Sequence, residues 1–189
     1  MNTDDGTRKA GEIVIEALGA VPAARDWAEL ADLLTACVEG GASIGFLAPL
    51  PRAEAEGYWR KIAGDLPGRL RVLLVAREGA GGKIVGSAQL ALEAKANGRH
   101  RAEVQKVMVK PSHRRRGIAL RLMNEIEAAA RTRGVTLLVL DTSDSHSGAR
   151  ELYEVTGYVY VGGIPGYALD PHGVSEQNAI FYKTLAPGA

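Results

Sequence analysis

Apolar positions change their spacing several times along the chain, and each change predicts an element. Glu12 to Ala17 (EIVIEA) is short and rich in β-branched residues, which predicts a strand. From Arg25 to Val38 the apolar residues Trp27, Leu30, Leu33, Leu34 and Val38 recur at helical spacing, and Gly40-Gly41 supplies the stop. Ala42 to Pro49 reads as a loop, and Arg52 to Asp65 as a second helix following Pro51. Then the period shortens. Arg69 to Arg77 (RLRVLLVAR) predicts an apolar strand, Gly79 to Gly82 a hairpin turn, and Lys83 to Leu92 the partner strand. Asn97-Gly98 marks a second turn before Arg101 to Val109 (RAEVQKVMV), the third strand of this meander, which Pro111 ends. Gly117 to Arg133 carries the clearest helix: Ile118, Leu122, Ile126 and Ala129 stack on one face, with Met123 and Ala130 beside them and Gly134 as the stop. Val135 to Leu140 (VTLLVL) is continuously apolar, as in a strand covered on both faces. A short helix, Gly148 to Thr156, precedes closing strands at Tyr158 to Val161 and Asn178 to Thr184, with a loop between them from Gly162 to Gln177. This order predicts a mixed α/β domain.

Composition narrows the picture. A chain of 189 residues suits one domain. Residues 1–10 read as a flexible start, 11–186 as the single domain, and Pro187 to Ala189 as a frayed end. Lys+Arg is 23 and Asp+Glu is 22, a balance unlike that of a protein built to coat nucleic acid or an anionic membrane. A single cysteine, Cys37, rules out an internal disulfide or a multi-thiolate zinc site and fits a reducing compartment. It reads as a buried core residue, as does Trp27; Trp59 and Tyr58 also read as core, with a place in the wall of an acceptor pocket as the alternative for one of them. His146 and His172 read as exposed loop residues. The polar start shows no secretory signal, and no apolar run reaches the roughly 18 residues of a membrane span. The expectation is a cytoplasmic protein, monomer or homodimer, without nucleic-acid or membrane partners.

Candidate chemistry begins at residues 114–119, Arg-Arg-Arg-Gly-Ile-Ala, between a predicted strand and an amphipathic helix. Free N–H groups and the dipole at a helix start favour an anion. Gly117 lets backbone approach a pyrophosphate closely, and His113, Arg114, Arg115 and Arg116 add positive charge. The stretch is neither a dinucleotide fingerprint nor a Walker loop. Two carboxylates lie nearby in the predicted topology. Glu103 is in the strand ending at Val109, and Asp141 ends the following strand, where ligands gather in open α/β sheets. The two strands are expected to be neighbours, so the acids could share a cleft, bind an ammonium group and relay its proton through water. As surface residues instead, Glu103 would pair with Arg101 or Lys106, and Asp141 would accept from the turn that follows it.

The segment Val107 to Ala119 (VMVKPSHRRRGIA) resembles the acetyl-coenzyme A binding motif of the GNAT superfamily of N-acetyltransferases, with Arg114, Gly117 and Ala119 at the motif positions. Ala149 to Tyr158 (ARELYEVTGY) resembles the superfamily's second signature, in the right order and at the usual separation. Further stretches resemble the subgroup of the tabtoxin resistance protein: Gly40 to Phe46, Ser87 to Leu90, Asn97-Gly98, Arg101 to Lys106, Leu140 to Thr142, Pro165 to Tyr167 and Phe181 to Leu185.

The resemblance implies a mostly antiparallel central sheet with a splayed parallel pair, flanked by helices, and acetyl-coenzyme A as cosubstrate. It implies that Met108 and Val109 offer backbone groups to pantetheine and the acetyl carbonyl. Residues Arg114 to Ala119, Ile118 included, would take the pyrophosphate. Tyr153 matches the tyrosine often used as general acid toward the thiolate, and an ordinary phenol keeps its proton at neutral pH. The subgroup resemblance favours both Glu103 and Asp141 as contacts of the substrate amine, with Asp141 ahead; the candidates for the base are Glu103, Asp141 and a water. Two departures stand out. Where many members carry an asparagine near residue 146, this chain has Asp144-Ser145-His146-Ser147, with Ser145 or Ser147 as the replacement. The loop Ser143 to Ser147 is also one residue longer than in the tabtoxin resistance protein. The implied activity is direct acetyl transfer to the primary amine of a small amino-acid-like toxin, antibiotic or metabolite, in a pocket shaped by Gly40 to Phe46 and Gly162 to Tyr167. The competing readings are a protein or peptide N-acetyltransferase, a non-catalytic acyl-coenzyme A sensor, and a nucleic-acid binder acting through Arg114 to Arg116.

Overall fold

The structure is a computed structural model that describes residues 11–66, 70–144 and 148–186. The expectations for residues 1–10, Arg69, Ser145, His146, Ser147 and Pro187 to Ala189 fall outside the described residues. Strand β1 (Ile13–Ala17) leads into helices α1 (Ala24–Glu39) and α2 (Arg52–Asp65). The meander β2 (Arg71–Glu78), β3 (Ile84–Leu92) and β4 (Arg101–Val109) follows, then α3 (Ile118–Arg131), β5 (Leu137–Ser143) and α4 (Ala149–Val155). The chain closes with β6 (Val159–Gly162), a small ribbon of β7 (Ala168–Leu169) and β8 (Ser175–Glu176), and β9 (Asn178–Thr184). Seven strands form one sheet in the order β1-β2-β3-β4-β5-β9-β6. Among the described residues only the β4–β5 pair is parallel; every other pairing is antiparallel.

Alternation along β2 splits the core into two layers. Val72, Leu74 and Ala76 face α3, where they meet Ile118, Leu122, Met123 and Ile126. Leu73 and Val75 face the other way, into Leu30, Leu34, Val38 and Trp59 of α1 and α2. The α3 stripe buries Ile118, Leu122, Met123, Ile126 and Ala130, leaves Ala129 partly buried, and buries Glu127 with them. That buried carboxylate is matched by Lys183 of β9, whose Nζ reaches both Glu127 oxygens at 2.7 and 2.8 Å. No helix among the described residues is long and apolar enough to cross a membrane.

Three expectations need correction. The strand expected at Val135–Leu140 runs from Leu137 to Ser143. Pairing with β9, from Leu137 opposite Thr184 to Ser143 opposite Asn178, carries polar Asp141, Thr142 and Ser143 into the ladder. Val135 instead tucks under the end of α3, its N–H donating to the Ala130 carbonyl. This strand is also not covered on both faces. Leu138 and Leu140 are buried in the α3 layer, but no β5 residue belongs to the layer under α1 and α2. Finally, the expected Gly162–Gln177 loop contains the β7–β8 ribbon, whose two-residue strands are too short to show a period.

Away from the site, a buried ion cluster clamps α1 to the sheet. Arg77 is 3% exposed; its Nε meets Glu16 at 2.6 Å, its Nη2 meets Asp26 at 2.7 Å and its Nη1 meets Glu29 at 3.5 Å. Removing one partner from a buried cluster strands the opposite charges. Arg77→Met is therefore expected to cost about 3–5 kcal/mol of stability. A lowered urea midpoint at unchanged slope checks this, and a wild-type midpoint would contradict it.

Candidate active site

The cleft begins where the sheet comes apart. The β4–β5 pairing holds only for Arg101, Ala102 and Glu103, opposite Leu137, Leu138 and Val139. Two rungs before its end, β4 also loses register with β3. Ser87 pairs with Met108 but Gln89 with Gln105, so three steps on β4 oppose two on β3. The bulge centres on Lys106, held at φ +50°. The two irregularities bend β4 away from β5 and leave the β5-facing edge of β4 without a strand partner from Val104 onward among the described residues. A cavity of about 900 Å³ occupies this opening, within the range of small-molecule sites.

One end of the cavity is the start of α3. After a 3-10 turn at Pro111–His113, Arg115 takes φ +61° and Gly117 φ +73°, and Gly117 caps the helix. A loop curled this way, followed by the free N–H groups of a helix start, is a ready anion cradle. Nothing crowds the position of a Gly117 Cβ, so the left-handed backbone is what requires glycine there. Gly117→Val is expected to weaken acetyl-coenzyme A binding about tenfold, from the roughly 1–2 kcal/mol such a backbone costs an L-residue. A direct titration checks this, and unchanged affinity would contradict it. Val109 is engaged by protein already: its carbonyl accepts from the Cys37 thiol at 3.5 Å and from Arg114 Nε at 3.4 Å. Cys37, distant in sequence, thus sits beside this segment in space. Burial pushes its thiol up to about 11, against a smaller opposing effect of Arg114. His113 does not stand free as a positive charge; its ring bonds Glu78 and Ser112, each at 2.9 Å.

The other end is built from one face of the sheet. Glu103 faces the same way as its rung partner Val139, and Asp141 lies two residues further along β5 on that face. This is the side covered by α1 and α2 over the meander but left open at β5. Arg71, Gln89 and Gln105 lie on the same face, and all but Gln89 line the cavity with Glu103 and Asp141. Tyr153 comes from the opposite layer. Its ring packs on Phe181 at 5.6 Å and Tyr158 at 6.0 Å, yet it lines the same cavity, through the gap between β4 and β5. Burial, then the nearby charge of Asp141, raise the Tyr153 phenol above its ordinary value. It therefore keeps its proton at neutral pH.

Tyr153, Asp141, Glu103, Met108, Val109, Arg114, Arg115, Gly117, Ile118 and Ala119 all line this one cavity. Arg116 does not, and its charge acts on Glu78 instead. Of Gly40 to Phe46, residues 40–45 line the wall; of Gly162 to Tyr167, Tyr167 alone does. Two residues read as core belong to the site as well: Cys37 and Tyr58 line the cavity, whereas Trp59 is buried in the α1–α2 layer. The sequence reading missed Arg71 and Lys106 as site residues. Lys106 could have been flagged, since strict alternation from Val104 directs it into the core and a lysine there demands a bulge.

An anion cradle at a helix start, a broken parallel pair and an acid-and-phenol cluster thus share one cleft. The sequence profile of the Acetyltransferase (GNAT) family matches residues 27–158, and the chain belongs to that family. It is 35% identical over 122 residues to an uncharacterized N-acetyltransferase from the hisH-hisA intergenic region of Azospirillum brasilense, covering 64% of this chain and 70% of the relative. Among solved structures it resembles the ribosomal-protein-alanine N-acetyltransferase of Brucella melitensis, with TM-score 0.73 and 20% identity, covering 91% of this chain and 99% of the other. It also resembles yncA of Salmonella typhimurium, solved with its cofactor acetyl-CoA, with TM-score 0.73 and 18% identity, covering 94% and 96%. The protein is a GNAT-family N-acetyltransferase, and acetyl-coenzyme A is the cofactor with which the Salmonella neighbour was solved. The chain fits that group: the α3 cradle suits a pyrophosphate, and the open β4 edge suits an arm that bonds to backbone.

Proposed function

We propose that this enzyme acetylates the primary amine of a small amino-acid-like toxin, antibiotic or metabolite, by direct transfer within a ternary complex, in the manner of the tabtoxin resistance subgroup, and that it works in the cytoplasm. The observation that carries this reading is the convergence of Glu103, Asp141 and Tyr153 on the cavity that also contains the α3 cradle. Acetyl-coenzyme A, when bound, supplies an activated acetyl thioester. Arg114, Arg115 and Gly117 to Ala119 would hold its pyrophosphate, and backbone groups of Met108 and Val109 would bond its pantetheine arm. Asp141 and Glu103 bind the acceptor's ammonium group and take its proton, directly or through water. Tyr153 gives a proton to the leaving thiolate.

The walls support a small acceptor. The α1–α2 loop at residues 40–45 and Tyr167 with Ala168 both line the cavity, which favours an enclosed molecule over an extended peptide. Direct transfer agrees with Cys37, whose thiol, pushed up to about 11, stays protonated and is a poor nucleophile at neutral pH. Initial velocities measured against both substrates test the order of events. Intersecting double-reciprocal lines are expected; parallel lines would mean an acetyl-enzyme and overturn the ternary complex.

A further inference from the structure

The roles above leave two cations of the cavity without work. Lys106 is half-buried and lines the cavity, and among the described residues its ammonium has neither a hydrogen bond nor an ion pair at contact distance. Its company is aromatic instead: Nζ lies 5.9 Å from the ring centre of Phe46 and 5.6 Å from that of Tyr58. The bulge that turns it there puts a lysine at φ +50°, a conformation that offers an L-residue no advantage of its own. Burial lowers the ammonium below its ordinary value, the charges of Asp141 and Glu103 push it back up, and Arg71 lowers it further.

Arg71 is the second cation. Its Nη1 donates to Gln89 Oε1 and Gln105 Oε1, both at 2.8 Å, and its Nε faces Asp65 at 3.3 Å. Gln89 is fully buried and donates in turn to the Tyr58 hydroxyl at 3.0 Å. Two neutral amides thus fix the guanidinium on its cavity side, and its ion pair with Asp65 is to a carboxylate that is itself exposed to solvent. Its Nη2 makes no hydrogen bond among the described residues, and the side chain lines the cavity. Two partly desolvated cations with donors to spare are costly unless an anion arrives.

We propose that Lys106 and Arg71 form an anion subsite of the acceptor pocket, which takes the carboxylate of an amino-acid-like acceptor whose amine lies by Glu103 and Asp141. This rests on the amine-acceptor reading above. Two cations and two carboxylates in one cavity are the complement of a zwitterion. A peptide N-terminus would place a neutral amide near the cations and leave Lys106 without an anion at contact distance.

Product binding tests the subsite without turnover. N-acetyl amino acids keep the carboxylate but have lost the ammonium, so they are titrated by calorimetry beside their C-terminal amides across the common side chains. The wild-type chain is expected to bind the acids about 10- to 100-fold tighter than the matching amides. Lys106→Met is expected to bring that ratio close to one, and Lys106→Arg to restore most of it. Acids that fail to bind, equal binding of acids and amides, or a ratio that survives Lys106→Met would each overturn the subsite. Steady-state assays separate the two claims. Acetylation of amino acids and their amides with equal kcat/KM sinks the subsite and leaves the transfer reading standing. An acid-over-amide preference in binding, with no amine acetylated, upholds the subsite and sinks the transfer reading.

Discussion

Tyr153→Phe is expected to lower kcat about 10²- to 10⁴-fold, the usual worth of a positioned general acid, with acetyl-coenzyme A affinity within about twofold of wild type. The ring keeps its packing on Phe181 and Tyr158, so only the hydroxyl is lost. The pH profile gives a second check with a definite sign. A general acid works while protonated, so the rate falls as pH rises through its pKa. Burial and Asp141 place that pKa above the ordinary phenol value, so no alkaline fall in kcat is expected up to about pH 10. If Tyr153 only filled space, the phenylalanine variant would keep wild-type kcat.

Asp141→Asn is expected to reduce kcat/KM for the amine about 10²-fold, again leaving acetyl-coenzyme A binding intact. The substitution preserves shape and removes the charge proposed to meet an ammonium group. It has a measurable side effect. Without the Asp141 charge, both Tyr153 and Lys106 lose a force that now raises them, so any alkaline limb moves toward neutral pH. Glu103→Gln provides the comparison, since Glu103 faces the same cavity from the last rung of the parallel pair. Asp141→Asn with kcat/KM within threefold of wild type would remove it from the proton path.

Much of this was legible in the sequence, for identifiable reasons. Strand β4 falls at Arg101–Val109 and α2 at Arg52–Asp65, as pattern and proline punctuation predict. The α3 start was legible because a glycine after three arginines marks both a helix boundary and an anion site. What pattern could not supply is what three-dimensional pairing decides. Strand β5 shifted toward its polar end because β9 sets its register. The alternation from Val104 marks Lys106 as out of place in a core, but that a bulge delivers it to the cavity follows only once β3 and β4 are aligned. Tyr58 and Trp59 are neighbours on one helix, so composition gives them the same role, and only the direction of each side chain separates cavity wall from core.

The measurement that bears most directly on the account is thiol release from acetyl-coenzyme A by the purified chain. Amino acids, amino-acid-like antibiotics and amine-bearing peptides would be offered in turn, with mass spectrometry of the acceptor. The expected result is stoichiometric thiol and N-acetyl product with a small amino-acid-like amine, abolished together by Tyr153→Phe. Transfer confined to peptide N-termini, or tight acetyl-coenzyme A binding with no amine acetylated, would contradict it.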